Sequence, residues 1–333
     1  MRFGEVPVGA AEGAILAHSV IAADPINPAS LTYKIAKGTC LTAEHIRDLA
    51  ANDVVTVVVA RLDAGDIHED DAATRIARAL CGPGLLADGA ATGRVNLRAE
   101  SAGIVQVDAE AIEQVNRINP AMTVATVAQW TRLEARGLAV TVKIIPFAAR
   151  EEDVAAACAI GQGAVRLREG VIGSATLIET QVGAPLSEKG RRSVKGRLDR
   201  FSVLLSERVV VDHDIASVAG ALVSAPGELL LILTGSATSD SADTAPEAVR
   251  AAGGEVIHYG MPVDPGNLLF IGRLGAKIVI GLPGCARSPA LNGADWVMER
   301  VICGIAPEDL DIPGMGVGGL LKEIPSRPRP REG

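Results

Sequence analysis

The chain has 333 residues, 48% hydrophobic and 22% charged, with a formal net charge of −8. That apolar content excludes global disorder and predicts two domains or three. A nucleic-acid binder needs positive charge and stacking faces, so the acidic balance and an aromatic content of 2% exclude that class. A small phosphorylated ligand stays open, because backbone N–H groups can hold one locally.

Residues 1–84 read as a mixed α/β region. Thr42 is placed to cap a helix over 43–51, with Ile46, Leu49 and Ala50 on one face. A strand follows over 54–60. After Gly65-Asp66 a helix runs through Ile76 and Leu80, and Cys81-Gly-Pro-Gly84 stops it. Residues 85–164 read as a β-rich connection with strands over 95–97, 104–107, 123–127 and 139–145, a helix over 109–118 behind Asp108, and a second helix over 151–159.

From about 165 to 306 strand and helix alternate. Apolar strands are expected over 171–178, 209–211, 229–233, 255–258 and 277–280, and helices over 187–205, 214–223, 245–252, 266–273 and 290–303. Near-continuous apolar strands separated by helices predict an α/β domain with a mostly parallel sheet covered on both faces. Residues 307–333, rich in Gly, Pro and Arg, read as a linker tail. Within it, Gly314-Met-Gly-Val-Gly-Gly319 follows Pro313 rather than a strand and opens no long helix, so it is not taken for a dinucleotide fingerprint.

The five cysteines, Cys40, Cys81, Cys158, Cys285 and Cys303, form no C-x-x-C pair. This argues against a disulfide framework or structural zinc and predicts small buried hydrophobes in a reducing, cytoplasmic setting. No signal peptide is expected behind Arg2, and no apolar run approaches the ~18 residues of a membrane span.

Ligands of such sheets bind at the carboxyl ends of the strands. Three loops there carry candidate chemistry. The first holds Thr234, Gly235 and Ser236, then Asp240 and Asp243 ahead of a helix with Pro246 in its first turn. Hydroxyls, close backbone and a helix start favour an anion, and the two carboxylates are compatible with one when a divalent cation such as Mg²⁺ lies between. Asp243 can equally cap the helix. The second loop holds Asp264, Pro265, Gly266 and Asn267, which can bond a heterocycle or make a plain turn. The third holds Gly281, Pro283 and Gly284, then Arg287 and Ser288, a guanidinium and a hydroxyl suited to phosphate. Asp212-His213-Asp214 ends a strand at the same edge and can serve as a metal pair, an acid–base group or a helix cap.

As a set, these loops resemble the molybdopterin-binding domain shared by molybdenum insertases and molybdopterin adenylyltransferases. Thr234-Gly235 matches that family's Thr-Gly-Gly with Ser236 in place of the second Gly. Asp243-x-x-Pro246-Glu247-Ala248 matches Asp-x-Thr-Pro-Glu-Ala with Ala245 in place of Thr. Asp264-Pro265-Gly266 matches its Pro-Gly loop, with Asn267 where a basic residue is usual, and Gly281-Leu-Pro-Gly284 matches Gly-Leu-Pro-Gly-Asn-Pro up to Cys285-Ala286. Over about 1–325, the phrases Lys143-Ile-Ile-Pro-Phe147, Gly260-Met-Pro-Val-Asp-Pro-Gly-Asn-Leu-Leu269, Pro283-Gly-Cys-Ala-Arg-Ser-Pro289 and Asn292-Gly-Ala-Asp-Trp296 resemble the amino-terminal half of two-part bacterial proteins. The other half of those proteins is a molybdopterin cytidylyltransferase-like nucleotidyltransferase.

The resemblance implies a three-layer α/β domain at about 165–306 that binds molybdopterin, or its nucleotide or metal-loaded form, in molybdenum cofactor biosynthesis. It implies Mg²⁺ at Asp240 and Asp243, phosphate against Thr234, Gly235 and Ser236, and adenylyl transfer or molybdate insertion if the domain is catalytic. The alternative is a non-catalytic carrier or regulatory module serving a cytidylyltransferase-like domain or protein. A homo-oligomer is compatible with both.

Overall fold

A computed structural model describes residues 1–22, 33–183 and 185–321. The chain forms two units, one of residues 1–101 and 105–167, the other of 102–104 and 168–333.

In the first unit, Arg2–Pro7 and Ile15–Leu16 flank Thr56–Arg61 in an antiparallel sheet. Thr42 caps the helix Ala43–Ala51 by accepting the His45 amide, as the sequence predicts. The helix Glu69–Leu80 lays Ala73, Ile76, Ala77 and Leu80 into a core with Val95, Leu97, Val140 and Val142. Those strand residues belong to an antiparallel sheet ordered Met122–Thr126, Leu138–Ile144, Arg94–Ala99, Leu85–Ala87. Asp108 caps Ala109–Ile118, and the last helix is Glu151–Ile160.

The second unit is built on seven strands: β1 (Ser174–Gln181), β2 (Leu204–Leu205), β3 (Val209–Asp212), β4 (Leu229–Leu233), β5 (Glu255–Tyr259), β6 (Phe270–Leu274) and β7 (Lys277–Leu282). Their order is β2-β1-β4-β7-β6-β5, and β3 also pairs with β1. β1 runs parallel to β2, β3 and β4, and β4 parallel to β7. Helices α1 (Lys189–Asp199), α2 (Ile215–Ser224), α3 (Thr244–Ala251) and α4 (Gly293–Ile302) complete the α/β fold.

β4 is buried on both faces, which its five consecutive aliphatic residues require. Leu230 and Ile232 pack with Val218 and Leu222 of α2 and Ala248 and Val249 of α3. Leu231 and Leu233 point the other way, where a Cβ on Gly190 of α1 would lie 2.9 Å from Leu233.

The helix expected over 187–205 ends at Asp199, and Leu204–Leu205 pair with the sheet as β2; three further expectations are corrected. Residues 266–273 are not a helix: a turn leads into β6, antiparallel to β5 and β7. The run Leu268–Ile271 has helical composition, but a Cβ on Gly272 would meet the Glu255 carbonyl at 2.3 Å, so Gly272 lets two strands approach. The β6–β7 hairpin turns at Gly275-Ala276, with Gly275 at φ +59°. Second, residues 307–321 are no free linker. Leu310, Ile312 and Met315 are buried, the Asp264 amide donates to the Gly319 carbonyl at 2.9 Å, and the Leu321 amide donates to the Asp264 carbonyl at 3.0 Å. Residues 322–333 lie outside the described residues. Third, only Cys303 is a buried cysteine; Cys40 is exposed and the other three are half-buried.

Candidate functional site

Since β1, β3, β4 and β7 are parallel and β5 is antiparallel to β6, the ends of all five former strands meet at one sheet edge. The three sequence-selected loops leave β4, β5 and β7 there. Hydrogen bonds tie them together. Arg287 Nη2 donates to the Thr234 carbonyl at 2.5 Å, joining third loop to first. The Tyr259 hydroxyl donates to the Thr238 carbonyl at 3.0 Å, joining the end of β5 to the first loop. The Gly293 amide donates to the Pro265 carbonyl at 2.8 Å, joining the start of α4 to the second.

In the first loop, two of the expected cradle residues act as supports. The Thr234 hydroxyl donates to the Ser236 carbonyl, and the Gly235 amide donates to Thr180 Oγ1 at 2.7 Å. Ser236 and Asp240 are exposed. Asp240 Oδ1 accepts the Ala242 amide at 2.8 Å. Asp243 caps α3: Oδ1 accepts the Thr244 amide at 2.7 Å, and Oδ2 the Ser239 amide at 3.0 Å. Those amides, Ser239 foremost, hold its carboxyl below the usual range, and the nearby His213 adds to the effect. Each carboxylate oxygen keeps a second lone pair. Among the described residues no three His, Cys, Asp or Glu side chains gather as a metal cage. Two partly engaged carboxylates suit Mg²⁺, which keeps several waters and shares itself with phosphate oxygens.

In the second loop, Asp264 is exposed, while Asn267 Nδ2 turns back to the Met261 carbonyl at 3.3 Å. Gly266 has φ +147°, and a Cβ there would sit 2.7 Å from the Gly293 amide nitrogen, so it serves close packing against α4. In the third loop, Gly281 lies inside β7, where a Cβ would strike the Phe270 ring at 1.9 Å; it too is a packing residue. Pro283 is buried and its carbonyl accepts the Ala286 amide at 2.9 Å. Gly284 is exposed. Arg287 and Ser288 are half-buried, and burial draws the Arg287 pKa down against the opposing pull of Glu179.

Several supporting residues escape sequence reasoning. Glu179, 3% exposed, accepts Arg208 Nε at 2.8 Å beneath the edge. Thr180 Oγ1 lies 2.8 Å from His213 Nδ1. Arg197 spans α1 to the third loop. For Glu179 and Thr180 the signal was the polar run Glu179-Thr180-Gln181 that follows Leu177-Ile178 at the end of β1. Of the Asp212-His213-Asp214 trio, Asp214 caps α2 by accepting the Ser217 amide at 2.9 Å. Asp212 borders a surface hollow of about 410 Å³ with Gln181, Val210, Val211 and Ser217.

No family model and no curated protein matches the chain. Among solved structures, the chain is similar to a molybdopterin biosynthesis MoeA protein from Pyrococcus horikoshii at 14% identity and a TM-score of 0.30, over 95% of this chain and 76% of that one. It is similar to a molybdenum cofactor biosynthesis protein from Pyrococcus furiosus at 12% identity and a TM-score of 0.24, over 94% and 65%. A second structure of a MoeA protein, from Pyrococcus horikoshii OT3, matches at 12% identity and a TM-score of 0.22, over 84% and 69%. No helix among the described residues is long and apolar enough to cross a membrane.

Proposed function

We propose that the three loops bind a phosphorylated pterin of molybdenum cofactor biosynthesis: molybdopterin, or its nucleotide or metal-loaded form. The observation that carries this reading is the bond from Arg287 to the Thr234 carbonyl. It ties a guanidinium of the third loop to the backbone of the first, two residues before the exposed Ser236. In this reading Arg287 and Ser288 take the phosphate, Ser236 adds a hydroxyl, and Asp264 takes donors on the heterocycle. A charge-assisted guanidinium contact supplies affinity and fixes the phosphate's orientation.

Asp240 and Asp243 would hold Mg²⁺. When bound, the ion neutralises phosphate charge. The residues' own part is to present carboxylates already ordered by the loop amides, so little reorganisation accompanies binding. In a catalytic module this arrangement serves adenylyl transfer or molybdate insertion. In a carrier it serves retention and delivery to a cytidylyltransferase-like domain in the cytoplasm. The carrier reading gains from one feature: Asn267 replaces the cation usual in the second loop and is turned toward its own backbone.

Mass spectrometry of protein purified from a cofactor-producing host tests binding: a retained pterin phosphate is expected, and its absence across preparations counts against the reading. Mg²⁺-dependent nucleotide hydrolysis or transfer by the purified chain separates enzyme from carrier.

A further inference from the structure

We propose that His213 is a further ligand-contacting group of this site, donating a hydrogen bond to the phosphorylated ligand, and that Thr180 is the positioning residue that aims its ring. This rests on the reading of the three loops as a phosphorylated-pterin site.

Thr180 is fully buried near the end of β1, between β3 and β4. Its hydroxyl oxygen accepts the Gly235 amide at 2.7 Å and lies 2.8 Å from His213 Nδ1. A threonine hydroxyl has one proton to give. Among the described residues it has no partner other than these two, and Gly235 is a donor. The proton therefore goes to Nδ1, which makes Nδ1 the acceptor and places the ring proton on Nε2. Nε2 has no hydrogen-bond partner among the described residues.

One buried oxygen thus fixes two things: the backbone of the first loop at Gly235 and the imidazole that follows β3. Asp214, next to the ring in the chain, is turned to the start of α2, where it accepts the Ser217 amide and hydroxyl. A histidine serving only to pin strands would need no donor left over. Here a ring N–H with no partner among the described residues shares its anchor, Thr180, with the first loop at Gly235.

The test is calorimetric titration of the full chain with a pterin phosphomonoester and with its dephosphorylated counterpart. His213→Ala is expected to weaken the phosphorylated ligand about tenfold, the scale of one hydrogen bond to a charged group, and to leave the dephosphorylated one nearly unchanged. Thr180→Val keeps the volume and loses the hydroxyl. It is expected to lose about as much, with no further loss in the double variant, and Thr180→Ser is expected to restore binding. His213→Asn keeps a polar group facing Thr180 without a donor at the Nε2 place, and stands in if the alanine variant unfolds. Nitrogen-15 NMR of the unliganded protein should show the His213 proton on Nε2, with mixed tautomers in Thr180→Val. Wild type that binds the phosphomonoester while the His213 variants bind equally well overturns the proposal and leaves the three-loop reading standing; so does a proton found on Nδ1. Wild type that binds no phosphomonoester overturns both.

Discussion

Arg197 donates from Nε and Nη2 to the two carboxylate oxygens of Asp295 at 2.9 and 3.2 Å, with both side chains at least 96% buried. The same guanidinium donates to the carbonyls of Ala286, Ser288 and Ala290 at 2.9–3.0 Å. Asp295 in turn accepts the Asn292 amide at 3.0 Å, closing the cap of α4. The pair therefore sets the path of the third loop from within.

Removing Arg197 leaves a buried carboxylate and takes the side-chain donor from the Ala286 and Ser288 carbonyls, while the Ala290 carbonyl keeps Asn292 Nδ2 at 3.1 Å. Arg197→Met should lower the unfolding free energy by about 3–5 kcal/mol, moderated by Arg200, which also reaches Asp295 at 3.3 Å. Arg197→Lys should recover only part, because an ammonium has three donors where this site uses the planar fork. Denaturant unfolding checks both, and a loss under 1 kcal/mol for the Met variant would contradict the account.

Asp243 separates capping from metal binding. Asparagine keeps only one of the two oxygens that accept the Thr244 and Ser239 amides, so Asp243→Asn should lose part of the stability that Asp243→Ala loses, which is about 1 kcal/mol. Mg²⁺-dependent ligand affinity should fall at least about tenfold in both. Equal affinity of Asp243→Asn and wild type in saturating Mg²⁺ would remove the metal role. The carboxyl's lowered pKa also gives a sign: its contribution to stability is complete above the ordinary carboxylate range and is lost only as pH falls through its own, lower value.

The helices of the first unit were legible because their caps and apolar faces are local: Thr42 before Ala43–Ala51, Asp108 before Ala109–Ile118. The three loops were legible for a similar reason, since a buried strand running into Gly, Pro and hydroxyl residues is a local pattern. What was not legible depends on neighbours. Gly272 read as part of a helix over 266–273 and Gly281 as part of a ligand loop, and only the Glu255 carbonyl and the Phe270 ring explain them. Thr180 looks like any strand residue until Gly235 and His213 come within hydrogen-bond distance. Residues 307–321 lack periodicity, yet three separated side chains, Leu310, Ile312 and Met315, suffice to dock them.

That docking makes a truncation series informative. Removing 322–333 should leave the melting temperature unchanged within error. Removing 310–333 should lower it by several degrees, since each buried aliphatic or Met side chain lost is worth about 2–5 kcal/mol. Equal melting of both truncations would mean that 310–321 contributes nothing.

Burial pushes the Cys303 thiol up to about 12. A thiol raised in the folded state stabilises fully below the unfolded pKa and loses that contribution as pH rises through the folded value. The window runs from about 8.5, the ordinary thiol value, to about 12. Stability should therefore decline with alkali over that window, less so in Cys303→Ala after correction for its lower baseline. Iodoacetamide at pH 8 should label exposed Cys40 and spare Cys303 in folded protein.

Arg287 decides most about the ligand. One structural alternative is that it pairs with Asp295 and pins α4, but Asp295 is already engaged by Arg197 and Arg200. Arg287 instead donates to a neutral carbonyl, that of Thr234, and feels Glu179 only at longer range. Glu179 has its own ion-pair partner in Arg208. A half-buried guanidinium without a direct carboxylate partner is incompletely compensated, and a phosphate would complete it. Arg287→Ala should weaken a pterin phosphomonoester by roughly tenfold to a hundredfold, the equivalent of about 1.5–3 kcal/mol, and leave a dephosphorylated pterin nearly indifferent. Stability should change by less than in Arg197→Met, since only one hydrogen bond between loops is lost. Titration with both compounds reads the difference: equal losses would make Arg287 a loop clamp, and the phosphate anchor would have to be sought elsewhere on the edge.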